Sequence, residues 1–180
     1  MNGKSNKITM AAVLLAICIV SQFFKNFSVY ITGPVINACL ILAVITCGVF
    51  WASVLAVVTP LTAFVITGAP VMKAVPAIMP LIMLGNLVLT LTVWFFVKKK
   101  ADNRSVIIGG VAGSILKAAV MALTISYGLL SLITLPEKMQ VMLPVLRSTY
   151  SLTQLLTALI GTVYAYIIWL VLKKTIYTGH

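Results

Sequence analysis

Lys117 is the residue whose type and place ask most plainly for chemistry. It lies in the middle of SVIIGGVAGSILKAAVMALTISY, Ser105 to Tyr127, an apolar run long enough to cross a bilayer. At ~1.5 Å rise per residue it stands ~18 Å from one end of the run and ~15 Å from the other, near the midplane of a ~30 Å hydrocarbon core. A charge at that depth is costly and is normally turned toward a bundle interior or a wet cavity, against a partner. The only acids in the chain are Asp102 and Glu137, both in stretches read as polar ends outside the core. An anion brought from outside is therefore the partner expected for Lys117. Helical spacing gathers further polar groups with it: Arg147, Ser151 and Gln154 on the last apolar run, Asn86 on the fourth, and Asn37 and Lys25 on or before the second. A mostly apolar pocket with a cationic spot and a few amides suits a small, largely apolar molecule bearing a carboxylate or phosphate. The competing reading has Lys117 neutral or bonded to main-chain carbonyls, Arg147 snorkelling to the surface, and Asn86 and Gln154 joining helix to helix.

Catalytic chemistry finds few of its usual groups. The only histidine, His180, ends the sequence, and no paired carboxylates occur inside the apolar runs. Metalloprotease, aspartyl-protease and Ser-His chemistry are not expected, nor is a metal site or a cofactor. Coupling to protons or sodium is disfavoured too, because no Asp or Glu lies within the membrane interior. No G-x-x-x-x-G-K-[ST] motif is present, so any ATP hydrolysis must belong to another chain. Cys18, Cys39 and Cys47 lie inside apolar runs without C-x-x-C spacing and are expected to be small buried hydrophobes.

The elements that must position these groups follow from composition. The chain is 62% hydrophobic and 8% charged over 180 residues, far from the balance of a soluble domain. The expected fold is an all-α integral membrane protein, one compact six-helix bundle in a single membrane domain, with spans near 10–24, 35–50, 52–67, 77–97, 105–127 and 148–172. The net charge of +11 is spread over short loops, which reads as orientation signal and ligand attraction rather than nucleic-acid binding. Eight basic residues fall on one side (Lys4, Lys7, Lys98, Lys99, Lys100, Arg104, Lys173, Lys174) and four on the other (Lys25, Lys73, Lys138, Arg147). The positive-inside rule then puts both termini in the cytoplasm. Lys4 and Lys7 ahead of Met10 to Phe24 resemble a signal peptide, but no A-x-A-like cleavage site follows before Lys25, so the run is kept as a span.

Within the spans, Ala12 and Ala16 share a face that lets another helix approach closely. Thr59-Pro60 predicts a kink or a lined cavity, because proline frees a backbone carbonyl. Met79, Met83, Asn86 and Thr90 follow a helical stripe expected to face inward. Gly109 and Gly113 predict tight packing of a neighbouring helix. The connection from Gly128 to Pro144 is apolar enough to suggest a cap over the bundle. On the last span Arg147, Ser151, Gln154, Ala158, Gly161 and Ala165 form one stripe, and Tyr164, Tyr166 and Trp169 fit an interfacial belt.

With these residues in place, the chain resembles the substrate-binding S components of energy-coupling factor (ECF) vitamin transporters. The resemblance covers essentially the whole chain and rests on Ala12-x-x-x-Ala16, ITGPVINA (Ile31 to Ala38), TPL (Thr59 to Leu61), MLGN (Met83 to Asn86) and the basic loop before the fifth span. It implies a small six-span protein in a bacterial cell membrane, lacking its own ATPase, that captures a vitamin outside and carries it inward. Its partners would be a transmembrane T subunit, on which Ala12 and Ala16 would dock, and two cytoplasmic ATPase subunits that drive toppling of the S component. Asn86, Lys117, Arg147 and Gln154 match the family's pocket by position only, and the motifs do not specify the substrate; a carboxylated vitamin or cofactor precursor such as pantothenate, lipoate or a folate is expected. The alternative is a small membrane scaffold or assembly protein without a small-molecule ligand.

Overall fold

The computed structural model describes residues 4–24, 28–133, 136 and 140–178. Among them, the chain forms helices α1 (Lys4–Gln22), α2 (Val29–Cys47), α3 (Val49–Thr67), α4 (Pro70–Ala74), α5 (Ile78–Val97) and α6 (Asn103–Met121). A π-helical run, Ala122–Leu129, and a last turn, α7 (Leu130–Leu132), prolong α6; α8 (Leu143–Thr149) and α9 (Leu152–Thr178) complete the chain. Six stretches are long and apolar enough to cross a membrane, so the protein is an all-α, multi-pass six-helix bundle.

Helix α2 is the axis of this bundle. Asn37 through Val44 are eight consecutive buried residues, as expected of a helix that is apolar all round. It packs against α1, α3, α5 and α9. Close approach is set by small residues: a Cβ on Gly33 would fall 2.8 Å from the Thr157 side chain, and one on Gly161 would fall 2.7 Å from Asn37 Cβ and 2.8 Å from the Pro34 carbonyl. The α2/α9 seam is therefore as tight as backbone and side chain permit. The α5/α6 seam is built similarly, with Gly109 on Val93 and Phe96 and Gly113 on Leu89, where the G-x-x-x-G spacing placed a neighbour.

Several boundaries differ from the sequence reading. The second span begins at Val29 rather than near 35, because Pro34 lies inside α2, and Ser28 caps the helix by accepting from the Tyr30 N–H at 3.1 Å. A single residue, Gly48, joins α2 to α3 with φ of 92°, a conformation open to glycine and strained for other residues. The fifth span runs on to Leu132 through the π-helical run, so the capping loop expected from Gly128 is shorter, and Glu137 and Lys138 lie outside the described residues. The buried line of α5 is Ile78, Gly85, Asn86, Leu89, Thr90 and Val93, with Met79 and Met83 only half-buried. That face is rotated from the predicted stripe toward Gly85, on which Met121 of α6 packs. Trp169 is buried in the bundle at 6% exposure rather than facing outward, since it continues the inward line of Ala158, Gly161 and Ala165.

The basic loop marks one end of the bundle. Lys173 Nζ donates to Asn103 Oδ1 at 3.2 Å, tying the end of α9 to the start of α6 beside the basic loop. Lys98 lies over the rings of Trp94 and Phe95. The opposite end is closed by a separate apolar cluster of Met72, Val75, Ile78, Met121, Ile125, Leu130, Leu146 and Tyr150. Cys18, Cys39 and Cys47 are buried free thiols.

Candidate functional site

The site grows from Pro60. Proline has no N–H, so the carbonyl of Ala56, four residues earlier in α3, loses its intrahelical donor. Asn86 Nδ2 on α5 supplies the missing hydrogen bond at 3.2 Å. With its NH₂ committed there, the Asn86 amide must turn its oxygen the other way, toward Lys117. Lys117 Nζ donates to Asn86 Oδ1 at 2.7 Å and to Asn37 Oδ1 of α2 at 2.7 Å. Three helices thus meet on the amine of Lys117, a residue 3% exposed. Beside it Gly85 makes room for Met121 of α6: a Cβ there would fall 2.6 Å from Met121 Cγ and 2.8 Å from its sulfur, while the Lys117 stem stays at an ordinary 3.7 Å.

Both acceptors are neutral amides, so the amine has hydrogen-bond partners but no counter-charge. No salt bridge to Lys117 exists among the described residues. An ammonium carries three donors, and two are used. A cavity of about 140 Å³ adjoins the group, lined by Lys117, Asn37, Asn86, Gln154, Thr32, Thr59 and Tyr150 among otherwise mostly apolar residues of α2, α3 and α5. Met72 of α4 and Thr149 of α8 also reach it, which places the hollow toward the end of the bundle away from the basic loop.

Of the residues singled out from sequence, the structure brings together Lys117, Asn37, Asn86 and Gln154, the last donating through Nε2 to the Thr149 carbonyl at 3.3 Å. It does not bring Arg147 or Ser151 into the cavity. Arg147 Nη2 donates to Ser131 Oγ at 3.0 Å, and its carbonyl accepts from the Ser126 and Ser151 hydroxyls at 3.0 and 2.7 Å. The stripe from Arg147 to Gln154 assumed one continuous helix. The chain breaks at Tyr150 and Ser151, between α8 and α9, and the break turns Arg147 into the seam against α7 and the π-helical run. Lys25 lies outside the described residues. Ala12 and Ala16 are exposed on α1, beside buried Ala11 and Leu14, so the small-residue face is open to an approaching helix.

Thr59, Thr32 and Tyr150 were not assigned to the site from sequence. Thr59 had a signal, since it precedes the proline already read as a possible cavity wall; Tyr150 had none, because its position depends on the α8/α9 break. Comparison with protein-family models, with curated proteins and with solved structures returns no match.

Proposed function

We propose that this chain is the solute-capturing membrane subunit of an ATP-driven importer of the ECF type, binding a small, largely apolar carboxylate at Lys117 and passing it inward. The observation that carries the reading is a buried ammonium held by two amide oxygens, with no carboxylate on it, next to a hollow. A lysine kept only for structure would be expected to meet an acid or to fill its surroundings completely. The basic end of the bundle then faces the cytoplasm and the cavity end faces outward. Ala12 and Ala16 supply the face for a transmembrane T subunit, with two ATPases completing the assembly. The expected ligands are carboxylated vitamins or cofactor precursors.

The test is a thermal-shift screen of vitamins and small carboxylates on detergent-purified protein, repeated on Lys117→Met. Stabilisation by carboxylates that disappears in the variant is the expected result. Stabilisation only by cationic or neutral compounds contradicts it, and a scaffold protein would respond to none.

A further inference from the structure

Thr59 carries an unexplained hydroxyl. Threonines inside helices commonly donate to the carbonyl four residues back, and here Thr46, Thr67, Thr92 and Thr124 do so at 2.7–2.8 Å. Thr59 does not. Its Oγ1 is buried with no hydrogen bond to any described residue, the residue is 1% exposed, and it lines the same cavity as Lys117. A buried hydroxyl without a partner costs on the order of 1–3 kcal/mol, so a partner supplied by a bound molecule accounts for its retention. Its carbonyl is by contrast fully engaged, accepting from Gln22 Nε2 at 3.1 Å and Thr62 Oγ1 at 3.0 Å. Those bonds hold Thr59 in place at the step before Pro60.

Resting on the reading of Lys117 as an anion site, we infer that Thr59 is a second ligand donor and that the ligand is a compact monocarboxylate, a single ring or short branched chain. Its carboxylate takes the spare Lys117 N–H on one side and the Thr59 O–H on the other. Its apolar body lies against Pro60, Ala63, Ile36, Ile82 and the Tyr150 ring. The size limit comes from the hollow itself: about 140 Å³ is close to the ~150 Å³ cavity that encloses one benzene molecule. A ring with one carboxylate fills it, whereas the chain of lipoate or the pteridine of a folate would have to extend out through its open side.

Isothermal titration of the full-length protein in detergent with benzoate, benzamide and lipoate tests the assignment. Benzoate is expected to bind, with benzamide and lipoate at least about tenfold weaker. Thr59→Val, which keeps shape and removes the hydroxyl, should weaken benzoate about tenfold or more, and Thr59→Ser should restore it. Equal benzoate affinity in Thr59→Val, with the variant shown to be folded by a cooperative thermal transition, overturns the role of Thr59 even if Lys117→Met still abolishes binding. Lys117-dependent binding of lipoate in preference to benzoate overturns the size assignment alone. Binding of no carboxylate, or of benzoate equally in Lys117→Met, brings down the anion site itself and this proposal with it.

Discussion

Asn86 is the residue through which the fold and the proposed chemistry meet. One end of its amide repairs the gap that Pro60 leaves in α3, and the other end fixes the Lys117 ammonium. Removing it should expose both faults: Asn86→Ala is expected to lower stability by about 1.5–3 kcal/mol, the range for a hydrogen bond to a charged group, read by thermal unfolding in detergent. Pro60→Ala should act oppositely on the two properties. The restored N–H satisfies Ala56 within α3, which stabilises the helix, while Asn86 is released and carboxylate binding weakens. A higher unfolding temperature together with unchanged affinity would show that the proline has no part in positioning the lysine. The sequence already displayed Lys117, Asn37, Asn86 and Pro60 as anomalies in apolar runs, because a polar group or a proline in hydrocarbon demands compensation wherever it stands. It did not display their pairing, which depends on the rotation of each helix.

At the level of elements, the junctions decide which expectations survive. Gly48 joins two spans with positive φ, and a Cβ there meets nothing within 4 Å. Gly48→Ala should therefore register the backbone cost alone, about 1–3 kcal/mol, as a lowered unfolding temperature with carboxylate affinity retained. Asp102 caps α6, its Oδ1 accepting from the Ser105 N–H at 2.8 Å. Hydrogen bonds from the Ser105 side chain and backbone hold its carboxyl below the usual carboxylate range. A depressed folded pKa means the cap contributes above the unfolded value and is lost as pH falls through the lowered one. Amide exchange in the first turn of α6 should accelerate on acidification, and Asp102→Ala should show fast exchange already at neutral pH. The α8/α9 break is where sequence reasoning failed, since periodicity carries a stripe across any apolar stretch and has no means to register a turn that lacks glycine or proline at its centre. Tyr150 and Ser151 form such a turn, and Arg147 was placed on the wrong side of it for that reason.

Across the whole molecule, the basic loop and the cavity lie at opposite ends. Lys98, Lys99, Lys100, Arg104 and Lys173 cluster where α5 ends, α6 begins and α9 closes, while Met72, Thr149 and Tyr150 stand round the hollow. A cysteine replacing Lys100 in a variant lacking the three native thiols should react with a membrane-impermeant maleimide only from the cytoplasmic side; labelling of intact cells would reverse the orientation. Six spans and their order were legible from hydropathy, because crossing the bilayer constrains length and polarity so strongly. The hollow was not, because it arises between α2, α3, α5 and the junction of α8 with α9, a space that no single segment encodes. The most direct measurement is equilibrium binding of small carboxylates to the purified protein and to Lys117→Met. Saturable binding to the native chain that is lost in the variant, with both proteins folded by thermal unfolding, is the predicted result. Equal affinity in the two would contradict the capture of an anion by the buried lysine.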